Sequence, residues 1–384
     1  MKRRLDHRRL ALSRRDLLKA GGGAAVLSAL AAAGCSASGE ERTVDLGRAD
    51  TLRILTWLDY IDPDLPGQLQ ASLGLQSLIY DELWEDNQSG YATWQENQTG
   101  WDIVVPTYWL AAEMIDDGLV EQIPLELIPN HVNIEPTYLT PSWDRGARFH
   151  MPWQAGITGI AWNTDTVNRP ITSIADLFSG EFDGRVAFNQ EMREVVGLAM
   201  LLQGNDPSRP TAASADQAMR ALEDLRAAQQ IRFVGSTREA MRDEQADVAM
   251  FWSGDVGLVA FENEEMSPDQ QLNLDFAVPD EGGIQWFDTM VIPKGSPNIA
   301  AAAAWMNEVY RPEVAAQITA WVGYVSPVIG VQDALRTDPG LAELADDPLL
   351  FPTAETRSRL FTWGQLGRFD GEAELEARFQ AIVG

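Results

Sequence analysis

The sequence contains one cysteine and three histidines in 384 residues, and this scarcity excludes several kinds of site. One cysteine cannot form an intramolecular disulfide. His7 lies in a basic N-terminal segment, so His131 and His150 remain, too few with one cysteine for a zinc site of cysteine and histidine. The G-x-S-x-G, H-E-x-x-H, G-x-x-x-x-G-K-[ST] and G-x-G-x-x-G motifs are also missing. We therefore predict no metal, no cofactor and no enzymatic activity.

Basic residues are also scarce, with 29 Lys and Arg against 57 Asp and Glu and a net charge of -28. Residues 1–34 hold 8 of the basic and 2 of the acidic residues, which leaves 21 against 55 and a net charge of -34. This charge argues against binding to nucleic acid or anionic membrane surfaces and favours cationic partners. Solvation of an acidic, lysine-poor surface in high salt explains the same charge equally well.

Residues 1–34 have the features of an export signal. A basic head precedes the small apolar run Ala20 to Ala33, which is too short to span a bilayer permanently. Ser13 to Lys19 resembles a twin-arginine signal, and Ala32 to Cys35 resembles a bacterial lipobox. We predict an exported protein, periplasmic or at the cell surface, anchored by lipid at Cys35 with residues 35–50 as a tether. Cleavage by ordinary signal peptidase without lipidation is the alternative.

Beyond the tether, short apolar runs alternate with helical patterns, which predicts an α/β fold with largely parallel sheets. The predicted strands are Leu52–Trp57, Asp102–Pro106, Gly159–Trp162, Val186–Asn189, Asp247–Trp252 and Thr289–Pro293. The predicted helices are Ala215–Gln230, with a capping box of Ser214 and Gln217, Ala300–Tyr310 and Glu313–Trp321.

Aromatic and acidic residues stand together at the predicted strand ends, where ligands bind in open α/β sheets. The groups are Trp57, Asp59 and Tyr60; Thr107, Tyr108 and Trp109; Trp252, Ser253 and Asp255; and Trp286, Phe287 and Asp288. An ammonium over an indole face gains about 0.5–2 kcal/mol. Its hydrogen bond to a carboxylate is about twice as strong as a neutral one. This combination predicts a site for an organic cation.

From about Leu52 to the C-terminus, the chain resembles the polyamine-binding proteins of bacterial ABC importers, which recognise spermidine or putrescine. The stretches that carry the resemblance are Ile54 to Tyr60, Trp101 to Pro106, Met151 to Trp153 with Gly159, Arg193 to Val195, Phe251 to Asp255, Gly282 to Asp288, and Gly323 to Pro327. Their order along the chain is more specific than any one of them.

The resemblance implies a two-lobe periplasmic-binding-protein fold of type II, with lobes joined by crossing hinge segments and closing on the ligand. One lobe would comprise residues 50–152 and 285–330, and the other residues 153–284 and 331–384. It further implies a monomer that delivers its ligand to a membrane permease driven by an ATPase.

The resemblance also implies roles for individual residues. Trp57 and Trp252 would flank the methylene chain, and Asp59, Asp255 and Asp288 would bind ammonium groups. The remaining predicted ligand-binding residues are Tyr60, Trp109, Glu191, Glu194, Trp286 and Tyr324. Asp59 has an alternative role, since it could cap a helix beginning near Pro63.

Two departures from the family pattern leave the ligand open. Leu58 stands where a hydroxyl residue is usual, and Gln365 only approximately matches a glutamine of spermidine binders. Asp255 resembles putrescine binders and Trp286 spermidine binders, so we predict a polyamine with putrescine preferred.

Two other functions stay open at this point. The same fold could bind another organic cation or an amino acid, whose carboxylate Arg193 could clamp. A secreted hydrolase using Asp255 and Asp288 as acid and base is the other alternative.

Overall fold

A computed structural model describes residues 51–264, 266–268, 270–365 and 369–384. The predicted export signal at residues 1–34, the lipidation of Cys35 and the tether at 35–50 lie outside these residues. The β-strands in chain order are β1 Thr51–Trp57, β2 Ser77–Trp84, β3 Ile103–Val104, β4 Met151–Asn163, β5 Val186–Phe188, β6 Ile231–Phe233, β7 Val248–Trp252, β8 Leu274–Ala277, β9 Gly283–Met290 and β10 Leu360–Phe361.

The α-helices alternate with these strands along the chain. In chain order they are α1 Leu65–Ser72, α2 Asn87–Glu96, α3 Tyr108–Asp116, α4 Pro136–Leu139, α5 Met192–Leu202, α6 Ala212–Ala227, α7 Thr237–Arg242, α8 Ser253–Glu264, α9 Ile299–Val309, α10 Pro312–Val322, α11 Val331–Thr337, α12 Ala354–Arg357 and α13 Glu372–Val383.

The described chain divides into two compact units. Unit 1 contains residues 51–154, Asp288–Val322 and Ser326–Asp347. Unit 2 contains Ala155–Phe287, Gly323–Val325 and Pro348–Gly384. Strands β4 and β9 each contribute residues to both units, because the division falls within them.

Unit 1 is built on a parallel sheet in the order β2-β1-β3. Strand β1 buries Leu52, Ile54 and Leu55, and its last residue, Trp57, is only half-buried. A core rich in tryptophan, including Trp84, packs beside this sheet. Because parallel strands share their carboxyl edge, the loops that follow β1 and β3 start at the same edge of the sheet.

Unit 2 is built on a mixed sheet in the order β10-β9-β4-β7-β5-β6, with β8 paired to β4. Strand β4 runs antiparallel to β7 and β8, while β5 runs parallel to β6 and β7. Helices α5, α6 and α13 contribute buried side chains to its larger core, among them Val195, Leu222 and Phe379.

The predicted α/β architecture is confirmed, with corrections to individual elements. Strand β9 begins at Gly283, so Trp286 and Asp288 lie within a strand rather than before one. Helix α6 begins earlier than predicted, because the Thr211 side chain accepts the Ser214 backbone N–H and forms the capping box with Ser214. The run Ser77–Trp84, interrupted by Asp81 and Glu82, was not predicted as a strand but forms β2.

The division into units differs from the predicted lobes at residues 153–154, 285–287 and 323–325, so that Trp286 and Tyr324, predicted in the first lobe, belong to unit 2. The largest difference lies at residues 331–347. We placed these residues in the second lobe, whereas the structure places them with unit 1. The reason is local packing, since α11 lies against α10 and the short helical turn Ala342–Asp346 lies against α11. Within the described ranges, no helix combines the length and apolar character needed to cross a bilayer.

Two helical glycines give a matched stability test. A methyl group on Gly90 of α2 would lie 2.0 Å from the Trp84 ring, whereas one on Gly67 of α1 would meet nothing within 4 Å. Trp84 is fully buried, so Gly90→Ala should destabilise the protein by roughly 1–3 kcal/mol through overpacking. Gly67→Ala should be neutral or stabilising by up to about 1 kcal/mol. Denaturant unfolding measures both, and equal effects would contradict this packing account.

Candidate functional site

In unit 1, the predicted site residue Asp288 lies at the centre of a buried hydrogen-bond network. Its side chain is only 3% exposed. The Tyr60 hydroxyl donates to Asp288 Oδ2 at 2.5 Å, and the Thr107 hydroxyl donates to Oδ1 at 2.7 Å. Asn87 holds Thr107 in place, since its Nδ2 donates to Thr107 Oγ1 at 2.9 Å and its Oδ1 accepts the Thr107 N–H. We call Asp288, Tyr60, Thr107 and Asn87 the Asp288 cluster.

The topology of unit 1 explains why the Tyr60 and Thr107 hydroxyls meet the Asp288 carboxylate. Tyr60 follows β1 and Thr107 follows β3, so both start from the carboxyl edge of the parallel sheet. Asp288 pairs with Thr107 through an isolated antiparallel bridge. The loop after each strand therefore delivers one hydroxyl to each oxygen of the carboxylate.

The environment of Asp288 disfavours the ionised form of its carboxyl group. Burial raises the pKa of Asp288 to about 7, although the hydrogen bonds from Tyr60 and Thr107 act to lower it. Within the described part of the chain, no basic side chain forms an ion pair with Asp288. An anion removed from water without a counter-charge is costly, and the raised pKa expresses that cost.

Aromatic rings stand next to this carboxylate in unit 1. Trp57 lies with its ring centroid 6.5 Å from that of Tyr60, and Trp57 Nε1 donates to the Val105 carbonyl at 2.8 Å. Trp109, by contrast, packs against the tryptophan-rich core. Asp59 is exposed and has a φ of 54°, a left-handed conformation that aspartate adopts more often than most non-glycine residues. It does not cap α1, whose N-cap residue is Asp64.

In unit 2, Glu194 joins two of the predicted tryptophans. Its carboxylate oxygen Oε2 accepts the Trp252 indole N–H at 2.8 Å and the hydroxyl of Thr158. The Thr158 hydroxyl in turn accepts the Trp286 indole N–H at 3.1 Å. We call Glu194, Thr158, Trp252 and Trp286 the Glu194 cluster. Glu194 lies in the first turn of α5, where the helix dipole favours a negative charge.

The aromatic residues of unit 2 form a continuous row. Trp252 and Trp286 lie 6.0 Å apart between ring centroids, and Trp286 and Tyr324 lie 5.4 Å apart. The Tyr324 hydroxyl donates to Asp255 Oδ1 at 2.9 Å. Burial raises the pKa of Asp255, while Arg238 and the Tyr324 hydrogen bond oppose that rise. Asp255 therefore extends this row with a second carboxylate.

Other candidate residues of unit 2 lie around these groups. Glu191 is the residue directly before α5, one turn ahead of Glu194. Gln365 is exposed. Arg193 is buried and forms ion pairs with Glu372 at 2.8 Å and Glu376 at 3.3 Å, both on α13. Its guanidinium therefore fastens the C-terminal helix to α5.

The two histidines considered from the sequence occupy structural positions in unit 1. His150 is fully buried, with Nδ1 2.7 Å from Asp144 Oδ2 and Nε2 2.9 Å from the Tyr138 carbonyl. His131 Nδ1 lies 2.5 Å from the Ile128 carbonyl. Among the described residues, no group of histidine, cysteine, aspartate or glutamate has the arrangement of a metal site.

The sequence did not reveal the residues that hold the candidate ligand-binding side chains in place. Asn87, Thr158 and Gly156 were not candidates, because a buried amide, a hydroxyl in an apolar strand and a glycine carry no signal by themselves. A methyl group on Gly156 would lie 2.2 Å from the Trp286 ring. The position of Thr158 directly opposite Trp252 on β7 could have drawn attention to it only once the pairing was known.

The fold and the paired aromatic and acidic groups define an α/β binding protein of two units. A family model for bacterial extracellular solute-binding proteins matches residues 80–352. The chain belongs to this family.

Relatives and solved structures agree with that assignment. The chain is 27% identical over 309 residues to spermidine/putrescine-binding periplasmic protein 1 of Haemophilus influenzae, covering 80% of this chain and 82% of the relative. It is also 27% identical to the putrescine-binding periplasmic protein PotF of Escherichia coli, covering 81% and 86%.

Among solved structures, it is similar to the spermidine/putrescine ABC transporter substrate-binding protein PotD of Streptococcus pneumoniae. The TM-score is 0.70 at 26% identity, with 87% of this chain and 99% of that chain covered. The predicted two-lobe periplasmic-binding-protein fold is thereby confirmed.

The raised pKa of Asp288 predicts a pH-dependent stability. A carboxyl group whose pKa is about 7 in the folded state and about 4 in the unfolded chain favours folding when protonated. Its contribution is complete below about pH 4 and is lost as the pH rises through about 7. As the pH rises from about 4 to 7, the free energy of unfolding of the unliganded protein should therefore fall by a few kcal/mol relative to that of the Asp288→Asn variant. Urea unfolding across that range measures it, and a constant difference would contradict the assignment.

Proposed function

We propose that this protein captures a polyamine outside the cytoplasmic membrane and delivers it to an ABC importer. Relatives named for spermidine or putrescine binding support the ligand class, and they cover four fifths of the chain. The clusters of both units support it independently, since each sets a carboxylate beside aromatic rings.

The observation that carries the proposal is the missing counter-charge of Asp288. Some half-buried carboxylates have an arginine, as Asp247 has Arg185 and Glu372 has Arg193. Asp288 receives only two neutral hydroxyl groups from the described residues. A ligand ammonium would supply the positive charge that the chain itself does not, through a charge-assisted hydrogen bond.

The aromatic side chains account for the rest of a polyamine. Methylene groups between ammonium centres need apolar walls, and indole faces also attract the adjacent positive charge. Trp57 is half-buried in unit 1, and Trp252 is half-buried in unit 2. Each therefore keeps ring surface that a ligand could cover, and we propose both as walls.

Within the polyamines, we propose a preference for putrescine. Asp255 resembles the residue that putrescine binders have at this position. Its carboxylate accepts a hydrogen bond from Tyr324, which belongs to the aromatic row of unit 2. The proposed ligand-binding residues remain those predicted from the sequence, with Asp59 the weakest because it is exposed.

The other candidate functions have less support. An amino-acid ligand would need a cation for its carboxylate, and Arg193 is already paired with Glu372 and Glu376. A hydrolase would catalyse turnover, whereas the relatives that cover four fifths of the chain are named for binding. We propose binding without catalysis by a monomer, attached to the membrane only through lipid on Cys35, with a permease and its ATPase as partners.

Calorimetric titration tests the ligand and the role of Asp288 together. The protein from Ser36 onward should bind putrescine and spermidine, and bind choline, thiamine and glycine betaine more weakly. Asp288→Asn should weaken polyamine binding by roughly 1–3 kcal/mol, about 5- to 150-fold in Kd, because a charged hydrogen-bond partner is lost. Asp59→Asn is the comparison variant and should weaken binding less than Asp288→Asn does, since the Asp59 side chain is exposed. Absence of binding to either polyamine would overturn the ligand.

The pH dependence of affinity gives a second test. An ammonium ligand binds the ionised carboxylate, so below the Asp288 pKa of about 7 binding must release a proton. Affinity should rise by up to about tenfold per pH unit between about pH 5 and 7 and then level off. Titrations in two buffers of different ionisation enthalpy should detect the released proton, and Asp288→Asn should abolish this dependence. A wild-type affinity independent of pH would show that Asp288 does not receive the cation.

A further inference from the structure

Thr158 occupies a central place in the sheet of unit 2. It lies in the middle of β4, between β7 and β9, and its Cα partner on β7 is Trp252. Its side chain is fully buried among these strands. Trp286 lies on β9, the other neighbour of β4. Thr158 is therefore flanked by the two strands that carry the tryptophans of the Glu194 cluster.

The Thr158 hydroxyl acts as donor and acceptor at the same time. It donates to Glu194 Oε2 and accepts the Trp286 indole N–H at 3.1 Å. The Trp252 indole donates to that same carboxylate oxygen at 2.8 Å. Because an indole N–H is only a donor, and an ionised carboxylate only an acceptor, a hydroxyl is the small group that can join Trp286 to Glu194 here.

Gly156 fixes the same indole ring by a second, steric constraint. It lies two residues before Thr158, and alternate residues of a strand share a face. A methyl group at Gly156 would lie 2.2 Å from Trp286 Cζ2. The segment 156–158 therefore provides space for the six-membered ring and an acceptor for the indole N–H. Together these contacts determine both the position and the rotation of the Trp286 side chain.

We propose that Thr158 is a positioning residue of the ligand site, whose hydroxyl holds the Trp286 ring and the Glu194 carboxylate in one fixed arrangement. The inference rests on the proposed function, because it assigns to Thr158 the orientation of two groups proposed to contact the polyamine. Without the hydroxyl, the buried Trp286 N–H loses its acceptor and Glu194 loses a donor. The ring and the carboxylate then adjust separately, and a ligand must order them when it binds.

The first experiment compares Thr158→Val with Thr158→Ser. Valine keeps the branched shape and removes the hydroxyl, whereas serine keeps the hydroxyl. Thr158→Val should weaken putrescine binding by about tenfold or more, as expected when buried polar groups lose a partner. Thr158→Ser should bind within about threefold of the unaltered protein, since the hydrogen-bonding group remains. Calorimetry gives the affinities, and equal losses in both variants would indicate a packing role and overturn the inference.

A measurement without ligand tests the same contact directly. Labelling the 13 tryptophans with nitrogen-15 gives one indole N–H resonance for each, and Trp286→Phe identifies that of Trp286. The Trp286 resonance should move in Thr158→Val and stay near its original position in Thr158→Ser. Thr158→Ala differs from Thr158→Ser only in the hydroxyl group and should also move the resonance, which keeps the test decisive if Thr158→Val does not fold. An unmoved Trp286 resonance in the folded variants would contradict the inference.

A double-mutant cycle shows whether Thr158 acts through Trp286. Trp286→Phe retains an aromatic ring and removes the N–H donor. If Thr158 positions that indole, the loss of affinity in Thr158→Val plus Trp286→Phe should be smaller than the product of the single losses. Full multiplicativity would overturn the inference. No polyamine binding by the unaltered protein would instead contradict the proposed function, and the tryptophan resonances would still decide whether Thr158 orients the ring.

Discussion

A carboxylate buried without a cation is the constraint that determines the arrangement of the Asp288 cluster in unit 1. Asp288 is held by hydroxyls from two different loops, and Asn87 fixes one of them by two hydrogen bonds. Neutral donors offset only part of the cost of removing the charge from water, which is why the pKa rises to about 7. An arginine at this place would neutralise the carboxylate and leave no negative charge for the proposed ammonium ligand.

In unit 2, the Glu194 carboxylate also receives hydrogen bonds from neutral donors. Glu194 receives an indole N–H and a hydroxyl, and it lies in the first turn of α5. The arginine next to it in sequence, Arg193, turns to the carboxylates of α13 instead. Adjacent residues of one helix thus have different partners, since Arg193 pairs with carboxylates of α13 and Glu194 with Thr158 and Trp252.

The sequence identified the charged and aromatic candidates for the ligand site, but not the side chains that hold these candidates in place. Trp252, Trp286 and Asp288 were identifiable because large aromatic and acidic residues at strand ends are unusual in an apolar context. Thr158 was not identifiable, because its importance depends on which strands flank β4 and therefore on pairing between distant segments. The start of β9 was missed because the polar residues Gln285 and Asp288 interrupt its apolar residues.

The overall negative charge and the site act over different distances. Charges on the surface are screened within about 8 Å at physiological ionic strength, and more strongly in higher salt. A charge of -34 on the chain beyond residue 34 therefore draws cations without distinguishing them. The contacts of Asp288 and Glu194 are buried, so salt weakens them much less. Selection of one organic cation must consequently depend on the geometry of hydroxyl, indole and carboxylate groups, and it should persist where the surface field has been screened away.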